Sequence, residues 1–343
     1  MSTRTGLPAS LTDELLTRLT ARVPSSTGET WKLTEVYTGE VLVELPQSTP
    51  EDIEGAYAKA RAAQREWAQW PLKKRLKVFR KAHTLMVNNA HTTADLIQAE
   101  SGKNRRMAIE ETCDPPMVIS HYLKRAGKLL APTKRGGPVP VVSSSTEIRQ
   151  PKGVVGIIAP WNFPFATGLS DAIPALMAGN AVVVKPDNKT ALSPLYGVEL
   201  LEEAGLPPGL FQVVCGDGPD VGPTLIDNAN YVMFTGSTAT GRTIGERAGR
   251  NLIGCCLELG GKNPMILLED ANLDEAVQGA LFGCFGNTGQ ICMHIERMYV
   301  HDSVHDEFKQ RFVAATKALR LAASYDFEPQ VGSLVSVDPV NIT

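Results

Sequence analysis

Three short stretches gather residue types that can do chemistry. Cys292 closes the run Phe285-Gly-Asn-Thr-Gly-Gln-Ile-Cys292, Glu258 lies in Leu257-Glu-Leu-Gly-Gly-Lys262, and Asn162 sits in Pro160-Trp-Asn-Phe-Pro164. A cysteine reached through a glycine-rich loop offers a thiolate, the nucleophilic form of sulfur, where little bulk obstructs an approaching carbonyl. A carboxylate just ahead of a glycine pair can act as a general base. A side-chain amide held in a proline-bracketed turn suits donation to a developing oxyanion. Each also has a plainer reading: a buried structural cysteine, a solvated strand-end glutamate, and a turn-forming asparagine. Cys113, Cys215 and Cys284 lack the loop context and read as core, and the adjacent Cys255 and Cys256 read as small hydrophobes on an apolar strand.

The elements that must position these residues follow from the apolar pattern. From Gly153 onward short apolar strands alternate with helices, with strand candidates at Val154–Ile158, Ala181–Lys185, Phe211–Cys215, Tyr231–Phe234 and Ile253–Leu257. Their unbroken Val/Ile/Leu character predicts a parallel α/β sheet covered on both faces. Ligands in such sheets bind beyond the carboxyl ends of the strands, and the segments Pro160–Pro164, Lys185–Asn188, Gly216–Gly222 and Thr235–Gly241 follow those ends. The spacing Gly216-x-Gly218-x-x-x-Gly222 is one residue longer than the dinucleotide fingerprint and weak by itself. Thr235-Gly236-Ser237, leading into a helix through Gly241, is the better phosphate cradle, because helix N-terminal N–H groups and dipole favour an anion. Upstream, residues 49 to 129 read as helical. Thr49 is placed as an N-cap, Pro50 at the first helical position, and Ile53, Ala56, Tyr57, Ala60 and Trp67 at helical spacing. Pro132, Gly136, Gly137 and Pro138 break the helices, and 139 to 150 reads as an extended polar arm. A second α/β unit begins near Leu259, with strands at Met265–Leu268 and Met298–His301 and helices from about Leu273 to Phe282 and on to about Leu321.

Taken together, the three motifs resemble, in order and wording, the signatures of the aldehyde dehydrogenase superfamily, over a span from about residue 30 to Ser336. The resemblance implies an α/β fold with a Rossmann-like parallel-sheet cofactor domain and a second, incomplete α/β catalytic domain. The expected division is a helical part at 1–130, an extended oligomerisation arm at 131–152, the dinucleotide-binding domain at 153–258 and the partial catalytic domain at 259–343. It implies Cys292 as nucleophile, Glu258 as the base that hydrolyses the thioester, and Asn162 with the backbone N–H of Cys292 as oxyanion donors. Cofactor contacts are implied for Ile158, Pro160, Trp161 and Asn162, for Lys185, Pro186, Asp187 and Asn188, and for Gly216, Gly236, Ser237 and Leu259. NAD-preferring relatives carry Glu at the Asn188 position. A neutral residue there removes repulsion against a 2′-phosphate, and Lys185 can supply a countercharge, so NADP is favoured over NAD. Asn188 and the Ile295-Glu-Arg297 segment most resemble succinate-semialdehyde dehydrogenases. Family chains normally continue to a Glu-x-Phe-Gly-Pro motif that nothing here resembles. The tail after Ser336 therefore reads as a truncation or frame change, and a chain ending there is expected to bind cofactor yet turn over poorly. The competing functions are a thiol hydrolase without redox chemistry, and a non-catalytic fragment that binds nucleotide or partner subunits.

The bulk composition narrows the class. A length of 343 residues holds two domains with cores, and 43% hydrophobic with 21% charged residues describes an ordinary globular protein. A net charge of −3 without long like-signed blocks gives no electrostatic reason to expect nucleic acid or an anionic membrane. The densest basic run, Lys73 to Lys81, reads as a solvated helix face opposite Leu72, Leu76 and Phe79. No apolar run approaches the roughly 18–20 residues of a membrane span, and six cysteines without a Cys-x-x-Cys pair are too few for a disulfide scaffold. These features, with no signal-like N-terminus, predict a cytoplasmic protein; the resemblance adds a small aldehyde as substrate and, for a full-length homologue, a homo-oligomer. His301 and His305 stand four apart without the zinc-protease Glu, so exposed or capping roles are expected rather than metal ligation.

Overall fold

The structure is a computed structural model, and it describes residues 6–139 and 142–336. The expected stretch of helix from 49 resolves into four: α2 (Pro50–Gln69), α3 (Leu72–Asn88), α4 (Ala90–Ser101) and α5 (Arg105–Leu129), preceded by α1 (Asp13–Thr20). Pro71 stops α2, and Gly102, at φ 72°, stops α4 in the left-handed conformation that glycine adopts without penalty. Thr49 and Asp52 form a complete capping box, and Ile53, Ala56, Tyr57, Ala60 and Trp67 are the buried face of α2. Tyr57 donates to the Leu225 carbonyl at 2.8 Å and Trp67 to that of Leu176 at 2.7 Å, so both aromatic groups are polar-satisfied inside the core.

The first 130 residues are not wholly helical. β1 (Thr30–Thr34) and β2 (Val41–Pro46) form an antiparallel hairpin whose only deeply buried side chains are Leu33, Leu42 and Leu45. One buried leucine every few residues is too sparse a signal to stand out among polar neighbours. The basic run on α3 is exposed as expected except at Arg75, which is buried and donates to the carbonyls of Met177 and Trp70. The polar arm is a second antiparallel hairpin, β3 (Thr133–Gly136) with β4 (Ser144–Glu147), and it is exposed along nearly its whole length.

The central sheet comprises β5 (Val154–Ile158), β6 (Ala181–Lys185), β7 (Phe211–Val213), β8 (Tyr231–Gly236) and β9 (Gly254–Leu259), all parallel. Every residue of β5 and β6 is buried except Ile158, which is half-buried, as a doubly covered parallel strand requires. The outer strand β9 is only partly covered, so the expectation of burial on both faces fails at this edge. Intervening helices are α6 (Pro164–Leu169), α7 (Ala172–Met177), α8 (Leu192–Glu203), α9 (Gly218–Asn228) and α10 (Thr238–Arg250). Strand order is β7-β6-β5-β8-β9. The chain moves outward one way from β5 through β7, then returns to β8 on the other side of β5. The switch point therefore lies between the ends of β5 and β8, where a crevice opens in a doubly wound sheet.

The second unit pairs β10 (Asn263–Leu267) with β11 (Ile295–Val300) in parallel, joined through α11 (Leu273–Phe285) and followed by α12 (Asp302–Lys317). Leu267, Val277, Ala280 and Phe308 form its small core, and Phe285, Phe312 and Phe308 stack across the two helices. The other face of the pair is bare: Ile266 is 68% and its register partner Tyr299 55% exposed. His301 caps α12, its ring nitrogen accepting from Ser303 N. The odd tail beyond Ser336 lies outside the described residues.

Asp52 also accepts from Ser26 N at 3.0 Å, so the α2 cap ties the N-terminal segment to the helix. Thr49→Ala should lower the unfolding free energy by about 1 kcal/mol, seen as a lower urea midpoint with the slope unchanged; an unmoved midpoint would show that Asp52 alone suffices.

Candidate active site

The chain leaves β5 into the turn Pro160–Pro164, and Pro164 starts α6 at a position that needs no N–H. Asn162 is held there from three sides. Its carbonyl accepts from Lys103 Nζ at 2.7 Å and from Asn287 Nδ2 at 3.1 Å, and its own Nδ2 donates to the Gln290 carbonyl at 3.0 Å. Asn287 and Gln290 belong to the loop that ends at Cys292. The structure thus brings together two motifs more than a hundred residues apart, and an amide carries one N–H beyond the one that Gln290 accepts.

That loop is conformationally unusual. Asn287, Thr288 and Gly289 have φ of 48°, 60° and 77°. Glycine accepts this readily and asparagine tolerates it, but a β-branched threonine is strained there. Asn287 is buried, with its Oδ1 and the Thr288 hydroxyl lacking partners among the described residues. What holds the strain is hydrogen bonding from outside. Asn287 Nδ2 reaches the Asn162 and Gln290 carbonyls, and Gln290 Oε1 accepts from Val335 N at 3.1 Å. On the far side Asn263 Nδ2 bridges the carbonyls of Cys292 and His294 at 2.9 and 3.1 Å. Strain maintained by surrounding contacts is characteristic of functional loops. The Cys292 side chain it presents is exposed.

Glu258 is exposed near the end of β9, in register with Thr235. Cys256 Sγ, on the same strand face, lies 3.9 Å from Glu258 Oε1; burial and then the Glu258 charge push that thiol up. Burial, with the charges of Glu258 and Asp114 behind it, pushes the Asp171 carboxyl up to about 6. The sequence did not signal Asp171 as a charge in the neighbourhood of Glu258.

Among the expected cofactor residues, Ile158, Pro160 and Trp161 are half-buried at the switch point, and Gly236 and Ser237 end β8 opposite them. Ser237 caps α10, its Oγ accepting from Thr240 N at 3.1 Å. A Cβ at Gly241 would lie 2.5 Å from Leu259 Cδ2, so glycine is what lets the first turn of α10 lie on the end of β9. This leaves a helix N-terminus aimed at the crevice, a fit for a pyrophosphate. Lys185 and Asn188 are both buried at the end of β6. Lys185 donates one N–H to the Pro186 carbonyl at 3.1 Å. Asn188 donates through Nδ2 to Gln47 Oε1 at 2.9 Å, and its Oδ1 accepts from Gly216 N at 3.1 Å. Asp187 caps the short turn that follows, accepting from Lys189 N. Pro186 and Asp187 thus form the wall below the β6 end, and Gly216 opens the α9 turn beside it.

Sequence reasoning missed the residues that hold Asn162. Lys103 and Glu111 are wholly buried and paired. Glu111 Oε1 also accepts from Phe165 N at 2.9 Å and Ala166 N at 3.2 Å, at the start of α6. Charged residues in a helical region read as solvated faces, and no local pattern says otherwise.

With this geometry in place, comparison with known proteins gives a consistent result. The Aldehyde dehydrogenase family model matches residues 23–341. A protein of Mycolicibacterium smegmatis named "Putative succinate-semialdehyde dehydrogenase" (NADP(+)) is 50% identical over 306 residues, covering 89% of this chain and 59% of its own length. A similarly named protein of Mycobacterium ulcerans is 44% identical, covering 96% and 64%. The crystal structure of succinate-semialdehyde dehydrogenase from Burkholderia pseudomallei superposes with a TM-score of 0.86 at 32% identity, covering 89% and 64%. The chain thus spans about three fifths of the length of the curated relatives it matches.

The raised Asp171 value carries a sign. Between the ordinary carboxyl value near 4 and about 6, the folded chain binds more protons than the unfolded one. The carboxyl thus contributes stability that is full below about 4 and is lost as pH rises through 6. Asp171→Asn should flatten the fall in urea midpoint between pH 4 and 7. An unchanged slope across that window would show that Asp171 titrates normally.

Proposed function

The chain belongs to the aldehyde dehydrogenase family, and from that premise we propose that it oxidises an aldehyde to a carboxylic acid, with NADP as hydride acceptor and Cys292 as nucleophile. The observation that carries this reading is the bond from Asn162 Nδ2 to the Gln290 carbonyl. It ties the Asn162 amide, in the turn that follows β5, to the loop that carries the exposed Cys292.

Under this reading the Cys292 thiolate adds to the carbonyl carbon, and the oxygen, now an oxyanion, takes a hydrogen bond from the remaining Asn162 N–H and one from the backbone N–H of Cys292. The oxyanion re-forms its carbonyl as the C–H bond breaks and hydride departs, leaving a thioester on Cys292. NADP, when bound, supplies the hydride acceptor. Ser237 and the α10 N-terminus would hold its pyrophosphate, with Pro160 and Trp161 on the β5 side and Lys185 to Asn188 forming the wall for the adenosine. Glu258 then takes a proton from water, whose oxygen attacks the thioester, and the thiolate leaves.

NADP is supported by the names of the relatives above and by the neutral residue at 188. Asn188 also fixes Gly216 N, so its effect is partly exerted through the glycine turn. For substrate we propose succinate semialdehyde, the aldehyde in the names of the similar proteins. The experiment is NADPH formation by the purified protein on a panel of aldehydes that includes succinate semialdehyde. Turnover that is equal across neutral aldehydes and the semialdehyde would remove the substrate assignment. Ester hydrolysis without any NADPH would remove the dehydrogenase.

Glu258→Gln should keep a pre-steady-state burst of NADPH while slowing steady turnover on the order of 10²-fold, the scale of general-base loss. Disappearance of the burst as well would assign Glu258 to binding or thiol activation. Asn188→Glu should shift the ratio of dissociation constants toward NAD by about tenfold or more, since a close like-charge contact costs a few kcal/mol. Equal shifts for both cofactors would mean that loss of the Gly216 contact, not charge, governs the position.

A further inference from the structure

We propose that Lys103 and Glu111 form a positioning pair for this reaction, holding the Pro160–Pro164 turn so that the free N–H of Asn162 points where the oxyanion forms. The proposal rests on Asn162 being an oxyanion donor, as in the reading above, and neither partner touches substrate.

The pair leaves no direction unused. An ammonium has three N–H bonds. One goes to Glu111, one to the Asn162 carbonyl at 2.7 Å, and the remaining side of Nζ lies 4.0 Å from the Phe163 ring centroid, a cation–π contact. Glu111 uses Oε2 for Lys103 and Oε1 for the N–H groups of Phe165 and Ala166. Its negative charge thus stands at the start of α6, where unpaired N–H groups need an acceptor. The two side chains therefore grip the peptide on either side of Phe163. Lys103 fixes the carbonyl of the residue before it, Glu111 the amides just beyond it. Rotation of the Asn162 peptide would break the Lys103 bond and the Asn287 bond together.

A purely structural pair is the rival account. Buried ion pairs add little net stability over apolar residues of similar volume, although losing one partner is strongly destabilising. The pair is better explained by what it orients. The backbone groups it satisfies are the Asn162 carbonyl and the first amides of α6, the helix that leaves the turn carrying Asn162.

The test compares Asn162→Ala, the neutral pair variant Lys103→Met with Glu111→Gln, and all three changes together, in the purified protein. Lys103→Gln is run in parallel, because a shorter donor beside a carboxyl that can take up a proton gives a second route to a folded variant. The readouts are the burst rate of NADPH formation and the dissociation constant for NADP. The pair variant should slow the burst on the order of 10- to 100-fold, at most the loss expected for one oxyanion donor, while NADP affinity stays within about twofold. Combined with Asn162→Ala it should add little, because both changes remove one interaction. Full additivity, or parallel loss of NADP affinity and burst, would assign the pair to fold maintenance and overturn the proposal. A normal burst in a folded Lys103→Gln or pair variant would overturn it as well. If instead Asn162→Ala leaves the burst unchanged, the oxyanion reading itself fails, and this inference with it.

Discussion

A buried ammonium is the constraint around which this site is arranged. Removing an ion from water costs several kcal/mol unless its partners are near ideal, so Lys103 can stay charged only where a carboxylate, a carbonyl and an aromatic face meet. Burial lowers its tendency to hold the proton and Glu111 opposes that shift. Once those partners are fixed, the path of the chain out of β5 is fixed too. Lys103 itself is anchored through its own carbonyl, which accepts from Tyr37 at 2.9 Å and from Gln98 at 3.2 Å. The segment after α12 closes on the same place, with Ser333 N donating to the Gly102 carbonyl at 2.7 Å and Asn104 reaching the Gln330 carbonyl at 2.5 Å. Three stretches distant in sequence, around Tyr37, Asn162 and Gln330, thus depend on one short turn at 102–104.

The loop that carries Cys292, the proposed nucleophile, draws on that anchorage. Three consecutive residues with positive φ do not hold themselves in place. Asn162 supplies one external fixing point, Asn263 another, and Val335 a third through the Gln290 side chain. The contacts fall on backbone groups and on Asn287 and Gln290. The Cys292 side chain is left exposed, an arrangement that suits the nucleophile proposed above: held peptide, accessible sulfur.

Much of this was legible in the sequence, for identifiable reasons. The strands β5 and β6 were readable to the residue because both faces are buried and their composition is continuous. The start of α2 was readable because Thr49, Pro50 and Asp52 act locally. The β1–β2 hairpin was not, because its few buried leucines pack against elements far away in the chain. At the site, Cys292, Glu258 and Asn162 stand out by motif, yet the motifs do not state that Asn162 and Gln290 are bonded. The orientation of Asn188 and Lys185 was not legible for the same reason. A polar residue at a strand end is assumed to face solvent or ligand, whereas Gln47 and Gly216, from other segments, turn Asn188 inward. Lys103 and Glu111 were invisible because a buried pair eight residues apart has the same composition as two solvated charges.

The two reacting groups are held very differently, and the proposed cycle gives that difference a reason. Hydride departure requires the sulfur-bound carbon and the acceptor to be aligned within a fraction of an ångström, which favours a loop fixed at several points. Water attack on the thioester comes later and needs only a carboxylate that can reach a solvent molecule. Glu258 suits that looser requirement, being exposed on the uncovered edge strand with a thiol at 3.9 Å as its neighbour on the same face. Asp171 adds an electrostatic condition. Burial, and then the charges of Glu258 and Asp114, keep the Asp171 carboxyl protonated up to about pH 6. This couples the exposed carboxylate to the packed interior without fixing its position.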